Sequence, residues 1–349
     1  MENKLSAKAF AMNVLNGIAT GSVVVLIPGA LLSELVKLLL PSMPFLTPLS
    51  WGLSMSNATM GLVCGFMVGL NFKFNPIQSA SLGLATLFAS GSVMMKDGVL
   101  MMAGAGDIIN MLITSALGAA LILWVGNGLK AYTILVIPPL LMLVVGLFGR
   151  LILPYVAMIT EWIGLGVAQL LQLQPLIMCM LIAMIFGILI VSPITTVGIA
   201  LAINLSGIGS GAANLGVCAT GFAFAILGWA VNTRGTSFAH FIGSPKISMP
   251  NVVKNPKVML PVISSGACTG VLAYLFNIQG TPMSAGFGFS GLVGPLNHLN
   301  LASGGWSITN ILITLLVFAG GPIVFGLLFK YLFMNVLGIV TPEDYRLNI

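Results

Sequence analysis

Hydrophobic residues along the 349-residue chain fall in long runs separated by only a few polar positions. Runs near 9–29, 50–70, 78–95, 105–127, 131–153, 175–191, 212–232, 258–277 and 305–338 each predict a membrane helix, since about 20 apolar residues cross a hydrocarbon core. The last run fits either one tilted span with an extension or a span broken at Gly320, Gly321 and Pro322. Residues 157–174 set Glu161, Trp162, Gln169 and Gln172 among apolar positions. That pattern fits an amphipathic helix in the interface, or equally an ordinary span capped by Glu161. Segments 30–40 and 192–211 are too short to cross alone and predict re-entrant hairpin arms.

Two stretches, Trp162–Thr233 and Val258–Phe329, contain no Asp, Glu, Lys or Arg. Each is interrupted by a patch rich in Gly, Pro, Ser and Asn. At membrane depth such backbone is tolerated only where protein buries it or it lines a cavity. The first patch, residues 192–217, reads SPITTVGIALAINLSGIGSGAANLGV. Pro193 ends a helix near Val191. Gly207, Gly209 and Gly211 then allow a turn, with Asn204, Ser206, Ser210 and Asn214 supplying neutral donors and acceptors around it. Small-residue helix packing would use the same composition. The second patch, residues 279–300, reads QGTPMSAGFGFSGLVGPLNHLN and breaks any continuous helix. It predicts a second re-entrant loop facing the first, with Gln279, Thr281 and Ser284 as polar contacts. It has no Gly-Lys-Ser/Thr and no strand–helix context, which excludes a phosphate-cradling nucleotide loop.

Composition narrows the class. With 58% hydrophobic and 6% charged residues, against about 25% charged in globular domains, the chain cannot clothe a water-facing surface. A mean hydropathy of +1.10 leaves no room for a sizeable soluble domain. The formal charge of +6 reads as topology rather than as a nucleic-acid signal, because membrane proteins gather Lys and Arg in cytoplasmic loops. The polar stretch 233–257, with Arg234, Lys246, Lys254 and Lys257 and no acid, is the candidate cytoplasmic face. Lys4 and Lys8 put the N-terminus on that side, and no cleavable signal peptide is evident. Cys64, Cys179, Cys218 and Cys268 sit singly in apolar runs, without metal or disulfide spacing. No cofactor is implied.

His240 is one of two histidines; in so uncharged a chain it fits a substrate contact or proton carrier and equally a loop histidine bonded to backbone. Lys246 follows Gly243-Ser244-Pro245 and would neutralise an anionic solute or simply obey the positive-inside bias. Asp107 is either an intramembrane functional acid or a helix cap. Arg150 and Glu161 mark the ends of the fifth span. A short echo links Asn75-Pro76-Ile77, with Gly83 following, to Ser192-Pro193-Ile194, with Gly198 following. Interrupted segments in two halves point to a transporter site.

The runs SPITTVGIALAINLSGIGSGAANLGV, AHFIGSPKISMPN and QGTPMSAGFGFSGLVGPL together resemble the phosphotransferase-system EIIC-like family, including its perfringolysin-regulator-like branch. The resemblance covers nearly the whole chain. It implies one integral membrane domain over 1–349, without an attached EIIA or EIIB domain. The implied fold is an all-α polytopic membrane protein of about 8–10 transmembrane helices with two re-entrant hairpins, working as a homodimer in the bacterial plasma membrane. In sugar EIIC proteins a separate EIIB passes phosphate to the bound sugar; here such a partner, or a regulatory one, would dock on the 233–257 loop. The sugar permeases carry Asn-Glu-Pro and Ile-Thr-Glu-Pro type motifs, whereas this chain has no Glu from 162 to 342. The expected function is therefore transport of a small polar solute around Asn204, Ser206, Asn214, His240, Gln279, Thr281 and Ser284. The alternatives are an EIIC subunit proper and a solute sensor.

Overall fold

The computed structural model describes residues 6–125 and 128–347; Lys4 and the end of the 105–127 run lie outside them. The chain divides into two compact units. One is formed by the chain up to Gly29 together with Val36–Met158, the other by Ala30–Leu35 together with the chain from Ile159 onward.

The first helix is α1 (Ala7–Leu39), capped by the Ser6 hydroxyl and containing Pro28, with all but Ala30–Leu35 in the first unit. The predicted separate arm at 30–40 is absent: the helix runs through it, because residues 30–40 are rich in good helix formers and hold no proline before Pro41. Next come α2 (Thr47–Ala58) and α3 (Met60–Asn71), bent by 53° at Thr59, then α4 (Pro76–Ser90), opened by a capping box between Asn75 and Gln78. Glycines decide how α3 meets α4. Gly61, Gly65 and Gly69 recur every fourth residue, and a Cβ at Gly65 would stand 2.8 Å from the Gly83 Cα. Small residues at helical spacing let backbones approach where lipid gives no hydrophobic drive for association.

The run 78–95 is not helical to its end. Gly91, left-handed at φ +84°, stops α4, and the chain forms a hairpin of β1 (Val93–Lys96) and β2 (Val99–Met102) before α5 (Ile108–Val125). Asp107 caps α5 through its Oδ1, which accepts the Asn110 N–H at 2.7 Å. Of the two readings of this acid, the structure shows the cap.

Helices α6 (Thr133–Leu140) and α7 (Leu147–Leu170) are joined by a π-helical stretch, giving one helix over Thr133–Leu170. The predicted span at 131–153 and the interfacial helix at 157–174 are thus one element. Its π-helical widening at Leu141–Gly146 follows Pro138 and Pro139, which remove two backbone donors.

In the second unit α8 (Pro175–Ile190), α9 (Thr196–Ala202) and α10 (Gly207–Leu227) are followed by α11 (Arg234–Phe238), α12 (Met249–Lys254) and α13 (Met259–Leu275). Then come α14 (Val293–Leu301), α15 (Ile308–Leu315) and α16 (Gly321–Lys330). Helix α10 is the hub: α8, α13 and α16 pack around it, and almost every one of its residues is buried. The segment 233–257 is no open loop, since Gly243 through Pro250 are all buried; only Arg234, Lys254 and Lys257 of its four cations are exposed. The run Ile308–Val336 is continuous through Gly320–Pro322, with a π turn instead of a break. By length and apolarity six helices among the described residues can cross a membrane, seven if the bent α2–α3 pair is one span, with α8 a shorter apolar helix beside them.

Candidate functional site

The two glycine-rich patches meet. After α8 the chain turns through Ser192 and Pro193, runs seven residues as α9, and stops at Asn204, which is left-handed at φ +50°. Asn is among the few side chains that tolerate this region. Gly207, at φ +64°, completes the turn and starts α10. The turn thus belongs to Asn204 and Gly207 rather than to three glycines. Gly209 and Gly211 lie inside α10, where their role is room: a Cβ at Gly211 would collide with the Ile278 carbonyl. The echo between the halves does not extend to local structure, because Pro76 opens α4 whereas Pro193 stands three residues ahead of α9.

Gly207 and Gly280 exchange both backbone hydrogen bonds, at 2.9 and 3.0 Å, as an isolated antiparallel pair. Ser210 Oγ donates to the Thr281 carbonyl at 2.8 Å. One turn on, Asn214 Nδ2 donates to Ser284 Oγ at 3.2 Å and its Oδ1 accepts the Gly288 N–H at 3.1 Å. From the other side of the break, Thr196 Oγ1 donates to the Gly286 carbonyl at 3.3 Å. The second patch is also bound to itself. Ser284 Oγ accepts the Thr281 N–H at 2.9 Å, while Thr281 Oγ1 accepts the Ser284 N–H at 3.2 Å and donates to Asn297 Oδ1 at 2.9 Å. Gly286 and Gly288, at φ +94° and +61°, make the winding possible. It ends in α14, a helix that the composition of the patch conceals.

Asn214, Gln279, Thr281 and Ser284 therefore surround one junction, and Asn204 and Ser206 sit on the exposed turn that leads into it. Asn214 and Ser284 are buried and bonded within the protein. Asn204, Ser206, Gln279 and Thr281 keep solvent exposure. His298, absent from the sequence-derived site, belongs here: its Nδ1 accepts the Gln279 N–H at 3.1 Å, which places the proton of the neutral ring on Nε2. A second histidine inside the second patch was the available signal.

His240 is held apart from that junction. Its Nδ1 faces the carbonyls of Thr236 and Ser237 at 3.1 and 3.3 Å, and its Nε2 meets Ser248 Oγ at 2.8 Å. The ring also stacks on Phe224 with centroids 5.9 Å apart. Two carbonyls at Nδ1 fix the proton there, so Nε2 accepts from Ser248. Burial pushes its pKa down to about 4, against the backbone bonds, which raise it. Its segment still touches the second patch, because Ser290 Oγ donates to the Gly243 and Ile242 carbonyls. Lys246 is 2% exposed, and its Nζ donates to the carbonyls of Ser192 and Ile194. The ammonium thereby serves carbonyls beyond the C-terminal end of α8, where a cation is favoured.

Among the described residues no group of His, Cys, Asp and Glu could hold a metal ion. No curated protein and no solved structure matches this chain. The family model for the phosphotransferase system, EIIC, matches residues 12–347, and the chain belongs to that family.

Proposed function

We propose that this protein is a permease that carries a small polar, sugar-like solute across the bacterial plasma membrane, with the joined glycine-rich patches forming re-entrant hairpins around the solute. Family membership makes it a membrane-transport component of the phosphotransferase type. The observation that carries the finer reading is the junction itself. Two uncharged, irregular segments meet through the Gly207–Gly280 pair, in a chain built from membrane-length helices. Neutral amides and hydroxyls suit hydroxyl groups of a solute, since an unpaired polar group on either side would be costly. Asn204, Ser206, Gln279 and Thr281 are assigned to the solute, Asn214 and Ser284 to holding the hairpins together, and His240 to the segment behind them. The whole chain works as one domain, in a homodimer.

Exposed Arg234, Lys254 and Lys257 favour a second reading, in which a separate EIIB docks on that basic surface and phosphorylates the solute. Proteoliposome uptake with a panel of labelled sugars, polyols and nucleobases tests both. Uptake of a labelled solute without EIIB supports the permease, and accumulation only as the phosphate with phosphorylated EIIB supports the second reading. Solute binding with neither would overturn both in favour of a sensor.

A further inference from the structure

The hairpin between α4 and α5 has a turn of Asp97 and Gly98, both left-handed at φ +51° and +78°. Positive φ at both central residues is the type I′ arrangement that closes a two-residue hairpin. Its register pairs Val93 with Met102, Met94 with Met101, Met95 with Leu100 and Lys96 with Val99. Side chains alternate along a strand, so one face carries Val93, Met95, Leu100 and Met102. The opposite face carries Met94, Lys96, Val99 and Met101. Apart from Lys96 beside the turn, both faces are apolar, and both are open: Met95 is 70% and Leu100 66% exposed on the first, Val99 62% on the second.

This is the wrong pattern for a hairpin in water, where one face would be polar and two strands alone are marginal. It is also the wrong pattern for docking on a second copy, which would cover one face and leave the other apolar in solvent. The base of the hairpin supplies its depth. Arg150 Nη1 donates to the Val93 carbonyl at 3.3 Å, and Arg150 is the only charged residue between Thr133 and Met158. A lone cation on such a helix belongs at the head-group level. The strands start at that level and reach about 13 Å. Their outer edges, which apart from the Val93 carbonyl taken by Arg150 have no further strand to pair with, exclude the hydrocarbon centre. The interface offers both water for those edges and acyl chains for methionine and leucine.

We infer that the Val93–Met102 hairpin is a membrane-contacting element whose partner is the bilayer interface, entered by both of its faces. The test places a nitroxide on Met95→Cys or Leu100→Cys for one face and on Met94→Cys or Met101→Cys for the other. The full chain is reconstituted in nanodiscs of phosphatidylethanolamine and phosphatidylglycerol, with the unsubstituted chain and its native cysteines as the labelling background. Oxygen accessibility severalfold above that of a label at exposed Glu343→Cys, with low accessibility to a water-soluble nickel chelate, is expected on both faces. Nickel-dominated relaxation on either face would overturn the inference. So would spin–spin broadening that vanishes on dilution with unlabelled protein, which would show a second copy instead. The unsubstituted chain gives an independent reading if a variant fails to fold. In nanodiscs its Met94, Met95, Met101 and Met102 should resist a water-soluble oxidant, and oxidation at the rate of a free methionine peptide would sink the idea.

Discussion

Asn214 and Ser284 lie 70 positions apart in sequence, yet the carboxamide Nδ2 of the first donates to the hydroxyl of the second at 3.2 Å. Oδ1 of the same carboxamide takes the Gly288 N–H, so one buried side chain holds the second patch against α10 at two points. Replacing Asn214 with Ala strands the buried Gly288 N–H, while Ser284 Oγ keeps its bonds to the Thr281 backbone. One buried orphan costs about 1–3 kcal/mol, so N214A should lower the melting temperature of the purified protein. Asn204→Gly, at the exposed turn where glycine also adopts the left-handed backbone, should leave the melting temperature nearly unchanged while weakening solute uptake. Equal melting temperatures for N214A and the parent would refute the bridging role.

Room rather than bonding governs Gly211. A Cβ there meets the Ile278 carbonyl, which is backbone and cannot swing away, whereas nothing lies within 4 Å of a Cβ at Gly166. Gly211→Ala should destabilise the protein by about 1–3 kcal/mol through overpacking. Gly166→Ala, in the exposed helix α7, should be neutral or stabilising by about 0.5–1 kcal/mol. Thermal unfolding of the two single variants in the same detergent decides it; a loss of stability in both would remove the steric explanation.

How much of this was legible in the sequence differs between elements for physical reasons. The paired glycine-rich patches were legible, because charge-free polar backbone stands out within apolar runs. The partners were not: Ser210 meeting Thr281 and Asn214 meeting Ser284 are tertiary pairings with no local signature. Lys246 reads as a loop cation, but the carbonyls of Ser192 and Ile194 take it into the interior, and no composition count foresees that. Asp97-Gly98 between apolar runs is a strong hairpin signal, hidden here because methionine and leucine also extend a helix pattern. The join of 131–153 to 157–174 was hidden by Arg150 and Glu161, which looked like a boundary and are positions along one helix.

His240 provides a pH test. Its folded pKa, pushed down to about 4 by burial, lies below the ordinary value of 6.5, so folding disfavours its proton. The stability that follows from the neutral ring is present above pH 6.5 and is lost as pH falls from there through about 4. The loss reaches about 3 kcal/mol at most. Melting temperatures of the parent and of His240→Gln between pH 7.5 and 4 should therefore converge as pH falls. Parallel curves would show that the ring accommodates its charge.

The last turn of the chain closes the second unit. Tyr345 is buried, its hydroxyl donates to the Val258 carbonyl at 3.0 Å, and its ring meets Phe224 edge-on with centroids 5.8 Å apart. Asn232 brackets the same residue, giving its Nδ2 to the Tyr345 carbonyl and taking the Leu347 N–H, both at 2.8 Å. Asn251 Nδ2 reaches the carbonyls of Asp344 and Arg346. The tail thus ties the end of α10, the buried 233–257 segment and the start of α13 to one another, and the stack of Phe224 on His240 lies directly beneath it. Tyr345→Phe removes one hydrogen bond and should cost about 1 kcal/mol. Tyr345→Ala also empties an aromatic site and should cost about 3–5 kcal/mol. Hydrogen exchange should rise over 231–258 in Tyr345→Ala while α3 and α4 keep the parent's protection, because the tail's hydrogen bonds to Asn232, Asn251 and Val258 lie within the second unit. Uniform loss of protection in both units would mean that the tail supports the whole fold rather than clamping this segment.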